Sequence, residues 1–134
     1  MLVPLGEDRS ISTSEDVVAV RQAVRQRAVD LGFNLVDQTK IVTAASELAR
    51  NTLQYGGGGT LRIEEILQGS RRGIRLTFED NGPGIVNIEL AMKDGYTTRG
   101  GLGLGLSGSK RLVNEFAIES QPGKGTTVSI VRWK

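Results

Sequence analysis

LRIEEILQGSRRGIRLTFEDNGPG, residues 61–84, decides the architecture. Leu61, Ile63 and Leu67 alternate with polar neighbours through Glu65, and Ile74, Leu76 and Phe78 alternate again up to Asp80. A period of two sends successive side chains to opposite faces, so each run predicts a strand with one buried and one solvated side. Between them, QGSRRG (68–73) has the composition of a hairpin-type loop. Asn81-Gly82-Pro83-Gly84 is a turn cluster that ends the second strand near Asp80.

Upstream the period changes. Residues 9–13 (RSIST) predict a short opening strand, and Thr13 or Ser14 an N-cap, with Glu15 and Asp16 near the positive end of the helix that follows. Val17, Val20, Val24, Ala28 and Leu31 recur at helical spacing, and Gly32 stops the run. A second helix is predicted from Val36 to Leu53, buried along Ile41, Ala45, Leu48 and Ala49 and ended by Gly56 to Gly59. Downstream, residues 87–94 predict a short helix and 95–103 a mobile, glycine-punctuated segment. Leu106, Leu112, Val113 and Phe116 fit a third main helix, and two strands near 116–121 and 126–133 close the chain around PGKG (122–125). Helices first, then a mainly antiparallel sheet interrupted by one helix, predict an α/β (α+β) two-layer sandwich with its helices on one face.

Composition narrows the function classes. The 134 residues predict a single domain, 1–134, and 38% hydrophobic with 24% charged residues suits a globular chain. Seventeen Lys+Arg against fifteen Asp+Glu leave a net charge of +2, dispersed along the chain, which argues against nucleic acid as a partner. Cys and His are both absent, which excludes disulfides, thiolate metal sites, a Ser-His-Asp triad and any phospho-histidine. No apolar run approaches the ~20 residues that cross a bilayer, and no signal-peptide core opens the chain, so a cytoplasmic location without membrane contact is expected. The 18 glycines fall in clusters between periodic segments and predict loops.

Four segments could carry chemistry. Glu47 and Asn51 stand four apart, one turn along the same helical face. A carboxylate beside an amide oxygen suits Mg²⁺ and phosphate chemistry, although roughly one chain in three of this length holds such a pair by chance. Asp80 in DNGPG (80–84) is either part of a tight turn or an acceptor for the exocyclic amine of adenine, with glycines that let the backbone approach the base. GGLGLGL (100–106) ahead of a helix suits phosphate binding through backbone N–H groups. GKGTT (123–127) is a hairpin turn after which Thr126 can stand beside the strand ending at Asp80. Gly103-x-Gly105-x-x-Gly108 matches a dinucleotide fingerprint, but no strand precedes it and no acidic residue follows Gln121, so that reading is rejected. The P-loop and the protein-kinase signatures are absent as well.

In order and spacing, the four segments over 47–127 resemble the boxes of the GHKL superfamily, the ATP-binding fold of gyrase, the heat-shock chaperone, histidine kinases and MutL. The chain is further similar to the RsbT-like branch of the anti-sigma regulatory factor kinases through TAASELARN (43–51), EDNGPGI (79–85), DGYTTRGGLGLGL (94–106) and GKGT (123–126). A freestanding histidine kinase is disfavoured, since there is no His to phosphorylate and no dimerisation helix pair.

The resemblance implies a histidine-kinase-like fold with three main helices on one face of a mixed, mainly antiparallel sheet. It implies that Asn51 binds Mg²⁺ and that Glu47 activates the attacking hydroxyl or water. It places Asp80 on the adenine amine of ATP, with Gly84 shaping the base pocket and Thr126 supporting it through water. Residues 95–105 would form the ATP lid, with the amides of Gly101, Gly103 and Gly105 near the phosphates. Arg99 departs from the small polar residue expected in that lid and could meet a phosphate, a partner or solvent; Lys110 and Arg111 are either phosphate neighbours or solvated.

The implied reaction is transfer of the γ-phosphoryl group of Mg·ATP to a Ser or Thr of STAS-domain proteins, an RsbS-like antagonist and an RsbR-like scaffold, in bacterial stressosome signalling. The released kinase would then activate an RsbU-like phosphatase by partner switching. The alternative is an ATP-binding anti-sigma factor that sequesters a sigma factor or its antagonist. An ATPase with no protein acceptor is a third option, disfavoured by the lack of a coupling domain. A weak homodimer is an open expectation.

Overall fold

In the computed structural model, which describes residues 6–85, 88–92 and 105–134, the 61–84 stretch forms an antiparallel hairpin. Its strands are β2 (Gly59–Gln68) and β3 (Arg71–Asp80). Ahead of them come β1 (Gly6–Ile11), α1 (Ser14–Asp30) and α2 (Leu35–Gln54). After them come α3 (Ile88–Ala91), α4 (Gly105–Arg111), β4 (Glu115–Gln121) and β5 (Gly125–Trp133). The five strands form one sheet in the order β1-β2-β3-β5-β4, and every neighbouring pair is antiparallel.

Register explains the layering. Leu61, Phe78, Val128 and Ile118 face one another across four strands, and Ile63, Leu76, Ile130 and Phe116 form the next row. Partners in register share a face, so these two rows make one apolar sheet surface. The helices cover it with Val17, Val20, Val24 and Ala28 of α1 and with Ile41, Ala45, Leu48 and Ala49 of α2. Helix α1 starts at a reciprocal cap. The Asp16 N–H donates to Thr13 Oγ1 (3.2 Å), while Asp16 Oδ2 accepts from the N–H groups of Ser12 (2.8 Å) and Thr13 (3.1 Å). Asn34 caps α2 by accepting from the Asp37 N–H at 2.8 Å.

Two expectations are corrected. The 68–73 loop contracts to Gly69-Ser70, because Arg71 and Arg72 are exposed residues of β3. The third helix is short: α4 ends at Arg111, and Phe116 belongs to β4. Asn114 already commits the chain to the sheet, its N–H donating to the Val131 carbonyl (2.9 Å) and its Oδ1 accepting from the Trp133 N–H (2.7 Å). The covering layer is therefore two long helices plus the seven-residue α4, which packs on α2.

Candidate functional site

Two residues beyond Phe78, on the same face of β3, stands Asp80. Gly59, Asp80, Thr126 and Ser120 are in register across β2, β3, β5 and β4. This row continues the apolar surface with the polar side chains of Asp80, Thr126 and Ser120. Asp80 is half-buried, and its Oδ1 accepts from the Gly82 N–H at 2.9 Å.

Backbone closes in on this carboxylate where a side chain could not. A Cβ at Gly56 would lie 2.6 Å from Asp80 Oδ2, so only glycine lets the chain leaving α2 pass here. Gly84 has φ +76° and sits so tightly on the β4–β5 turn that a Cβ would lie 2.7 Å from the Gln121 carbonyl carbon. The Gly123 N–H donates to the Pro83 carbonyl at 2.7 Å, and the Ile85 N–H donates to Ser120 Oγ at 2.7 Å. Together these pin the 81–85 turn to the last hairpin.

Helix α2 supplies the other wall. The Asn51 carbonyl accepts from the N–H groups of Tyr55 (2.9 Å) and Gly56 (3.2 Å), which carries Gly56 against Asp80. Among the described residues the Asn51 side chain has no hydrogen-bond partner. One turn earlier, Glu47 is 13% exposed and its Oε1 accepts from Arg50 Nη1 at 2.9 Å. Gly105 opens α4 with φ +64°, and its carbonyl accepts from the buried Ser109 hydroxyl at 3.0 Å.

The structure thus gathers Asp80, Gly84 and Thr126, and ties Asn51 to them through Gly56. Glu47 stands a turn away on α2 and meets Arg50 rather than Asp80. Lys110 is exposed at the end of α4. Gly101, Gly103 and Arg99 lie outside the described residues. A groove of about 360 Å³ runs along β1 and the start of α1 and is lined by Glu7, Asp8, Arg9, Ser10, Asp16 and Ala19. Its acids are already engaged, Glu7 with Arg27 (3.0 Å), Asp8 with Arg62 (2.9 Å) and Asp16 with the α1 cap.

Chemically, the Asp80 end of the sheet offers oxygen acceptors beside close-packed glycine backbone. Residues 36–134 match the family model "Histidine kinase-, DNA gyrase B-, and HSP90-like ATPase". The chain belongs to this GHKL ATPase family. Within the GHKL proteins it is closely related to the RsbT and anti-sigma factor kinases. It is 47% identical over 123 residues to the serine/threonine-protein kinase RsbT of Bacillus subtilis, spanning 92% of each chain. It is 33% identical over 122 residues to the anti-sigma F factor of Clostridium kluyveri, spanning 87% of this chain and 84% of that one. Two solved structures show the same fold. The RsbU and RsbW domains of Rv1364c from Mycobacterium tuberculosis match with a TM-score of 0.67 at 22% identity, over 99% of this chain and 33% of that one. The mycobacterial sensor histidine kinase MprB matches with a TM-score of 0.57 at 19% identity, over 96% and 97%.

Sequence reasoning about the GHKL boxes missed Ser120 and the individual weight of Gly56. A signal for Ser120 was present: Phe116, Ile118 and Ser120 share the core-facing side of β4, and a hydroxyl where the pattern demands an apolar group calls for a partner.

Proposed function

We propose that the chain is an ATP-dependent protein serine/threonine kinase that phosphorylates STAS-domain antagonist and scaffold proteins of the RsbS and RsbR kind. The observation that carries this is the convergence of Asp80, Thr126, Gly84 and the last turn of α2 at one end of the sheet. The residues fit Mg·ATP. Asp80 Oδ2 and the Asn51 amide have no partner among the described residues, and each offers an oxygen acceptor. Mg²⁺ takes one or two protein oxygens and fills its shell with phosphates and waters.

In this reading Asp80 accepts a hydrogen bond from the adenine amine, and Gly84 shapes the base pocket by holding the 81–85 turn on the last hairpin. Asn51 holds Mg²⁺ through its side-chain oxygen. Bound Mg·ATP supplies the γ-phosphoryl group and the charge-neutralising metal. Glu47 takes the proton of the acceptor hydroxyl as its oxygen bonds to the γ-phosphorus, while the bond to the β-phosphate oxygen breaks and ADP leaves. Gly101, Gly103 and Gly105 offer N–H groups to the phosphates. The added phosphate brings roughly two negative charges into the contact patch and weakens the complex, freeing the kinase for an RsbU-like phosphatase. We place this reaction in the cytoplasm and assign it to one domain, 1–134.

The kinship with anti-sigma F factors favours one second reading, in which the same nucleotide site sets the shape of a protein that sequesters a sigma factor. Incubation with labelled ATP and a STAS-domain protein separates the two. A phosphoserine or phosphothreonine on the partner supports the kinase, and stable sigma-factor capture with no label supports sequestration.

A further inference from the structure

Ser120 belongs to none of the four sequence segments, yet its hydroxyl is the hub of the Asp80 row. Its Oγ accepts from the Ile85 N–H at 2.7 Å, lies 3.1 Å from the Gly125 carbonyl and lies 2.7 Å from Thr126 Oγ1. By distance either hydroxyl of the Ser120–Thr126 pair can donate. Counting protons resolves the direction. The Gly125 carbonyl can only accept, and Ser120 has one proton to give it. The 2.7 Å contact is then closed by the Thr126 proton, and the two lone pairs of Ser120 are filled by Ile85 and Thr126. In this arrangement the Ile85 N–H, the two hydroxyls and the Gly125 carbonyl are each paired.

The consequence reaches the ligand. With its proton committed to Ser120, Thr126 shows only lone pairs to the space beside Asp80, and Asp80 as a carboxylate also only accepts. Two neighbouring acceptors at the exocyclic position favour an amine there and repel a carbonyl.

We propose that Ser120 is a specificity-determining positioning residue: its hydroxyl holds Thr126 as an acceptor, so that the Asp80 row selects a purine with an exocyclic amine over its carbonyl counterpart. This rests on the nucleotide-site reading above and names what sets its base selectivity. Without Ser120, the Thr126 hydroxyl is free to rotate and donate to a carbonyl edge.

The test compares Mg·ATP with Mg·ITP, because hypoxanthine replaces the adenine amine with a carbonyl at the same ring position. Calorimetric Kd values for the parent should favour ATP, and Ser120→Ala should reduce the ATP/ITP affinity ratio about tenfold, the equivalent of one hydrogen bond of reversed sense. Ser120→Thr, which keeps the hydroxyl, should retain the parent ratio. Adding Thr126→Val to Ser120→Ala removes the freed donor and should restore selectivity against ITP. If Ser120→Ala does not fold, Ser120→Cys, similar in shape but a weak acceptor for the Thr126 proton, is held to the same loss of ratio. A merely structural role weakens both ligands equally, so a parent-like ratio in the folded alanine or cysteine variant overturns the assignment to Ser120 alone. A parent protein that binds neither nucleotide overturns the nucleotide site together with it.

Discussion

Gly84→Ala should uncouple nucleotide binding from folding. At φ +76° an alanine pays for the left-handed conformation with about 1–2 kcal/mol. Its Cβ would also sit 2.7 Å from the Gln121 carbonyl carbon, so the turn must lift from the β4–β5 hairpin. Lifting breaks the 2.7 Å hydrogen bond from the Gly123 N–H to the Pro83 carbonyl, worth about 0.5–1.5 kcal/mol. The sum is about 1.5–3.5 kcal/mol, and it falls on residues 81–85 rather than on the apolar rows beneath the helices. If the docked turn is required to hold the base, Mg·ATP affinity drops about 10- to 300-fold. Gly69→Ala is the matched control: φ is +61°, nothing lies within 4 Å of its added Cβ, and it sits in the β2–β3 turn at the far end of β3 from Asp80. It should cost about 1–2 kcal/mol of folding stability through backbone strain, read as a lower urea midpoint, and leave affinity unchanged. Calorimetric titration with Mg·ATP, alongside urea unfolding of each variant, reads both effects. Parent-like affinity, within about threefold, in a folded Gly84→Ala protein refutes the reasoning.

Asp80→Asn keeps one acceptor oxygen but loses charge assistance of about 1–2 kcal/mol, so ATP affinity should fall about tenfold or more; an unchanged Kd contradicts the adenine contact. Glu47→Ala should cut phosphotransfer to a STAS-domain partner by about 10²–10⁴ while ATP affinity stays within a few-fold, and undiminished transfer removes Glu47 from the chemistry. Asp16, in the α1 cap, has its carboxyl held below the ordinary 3.8, first by the Ser12 N–H, against a smaller opposing effect of burial. Its folded value is depressed, so its contribution to stability is present above that ordinary value and is lost as pH falls through the lowered one. Urea midpoints measured down this acid range should fall less in Asp16→Asn than in the parent, and parallel curves would show that the cap carboxylate does not contribute.

Much of the sheet was legible because a period of two is hard to imitate: Ile74, Leu76 and Phe78 admit no helical reading, and the turn at 81–84 marks where they stop. The boundaries of the β2–β3 loop were not, since Arg71 and Arg72 at an exposed strand end have the composition of a loop. Helix α4 was overextended for a different reason. Leu112, Val113 and Phe116 satisfy the helical period, while Phe116 and Ile118 equally satisfy the strand period, and only the pairing of Asn114 with β5 decides between them. The place of Asp80 followed from Phe78 two residues earlier. Ser120 has the same relation to Ile118, but its meaning depends on Thr126 and Ile85, 6 and 35 residues away in the chain. Gly56 likewise looked like one of four loop glycines; its distinction is the Asp80 carboxylate against it, which spacing alone does not encode.

Backbone amide shifts followed by nuclear magnetic resonance during titration with Mg·ADP put the central claim to its most direct test. The account predicts that the largest changes fall on Asn51, Gly56, Asp80, Gly82, Gly84 and Thr126, the groups gathered at one end of the sheet. Changes centred instead on Glu7 to Ser10 and Asp16, in the groove along β1, with the Asp80 row silent, would contradict it.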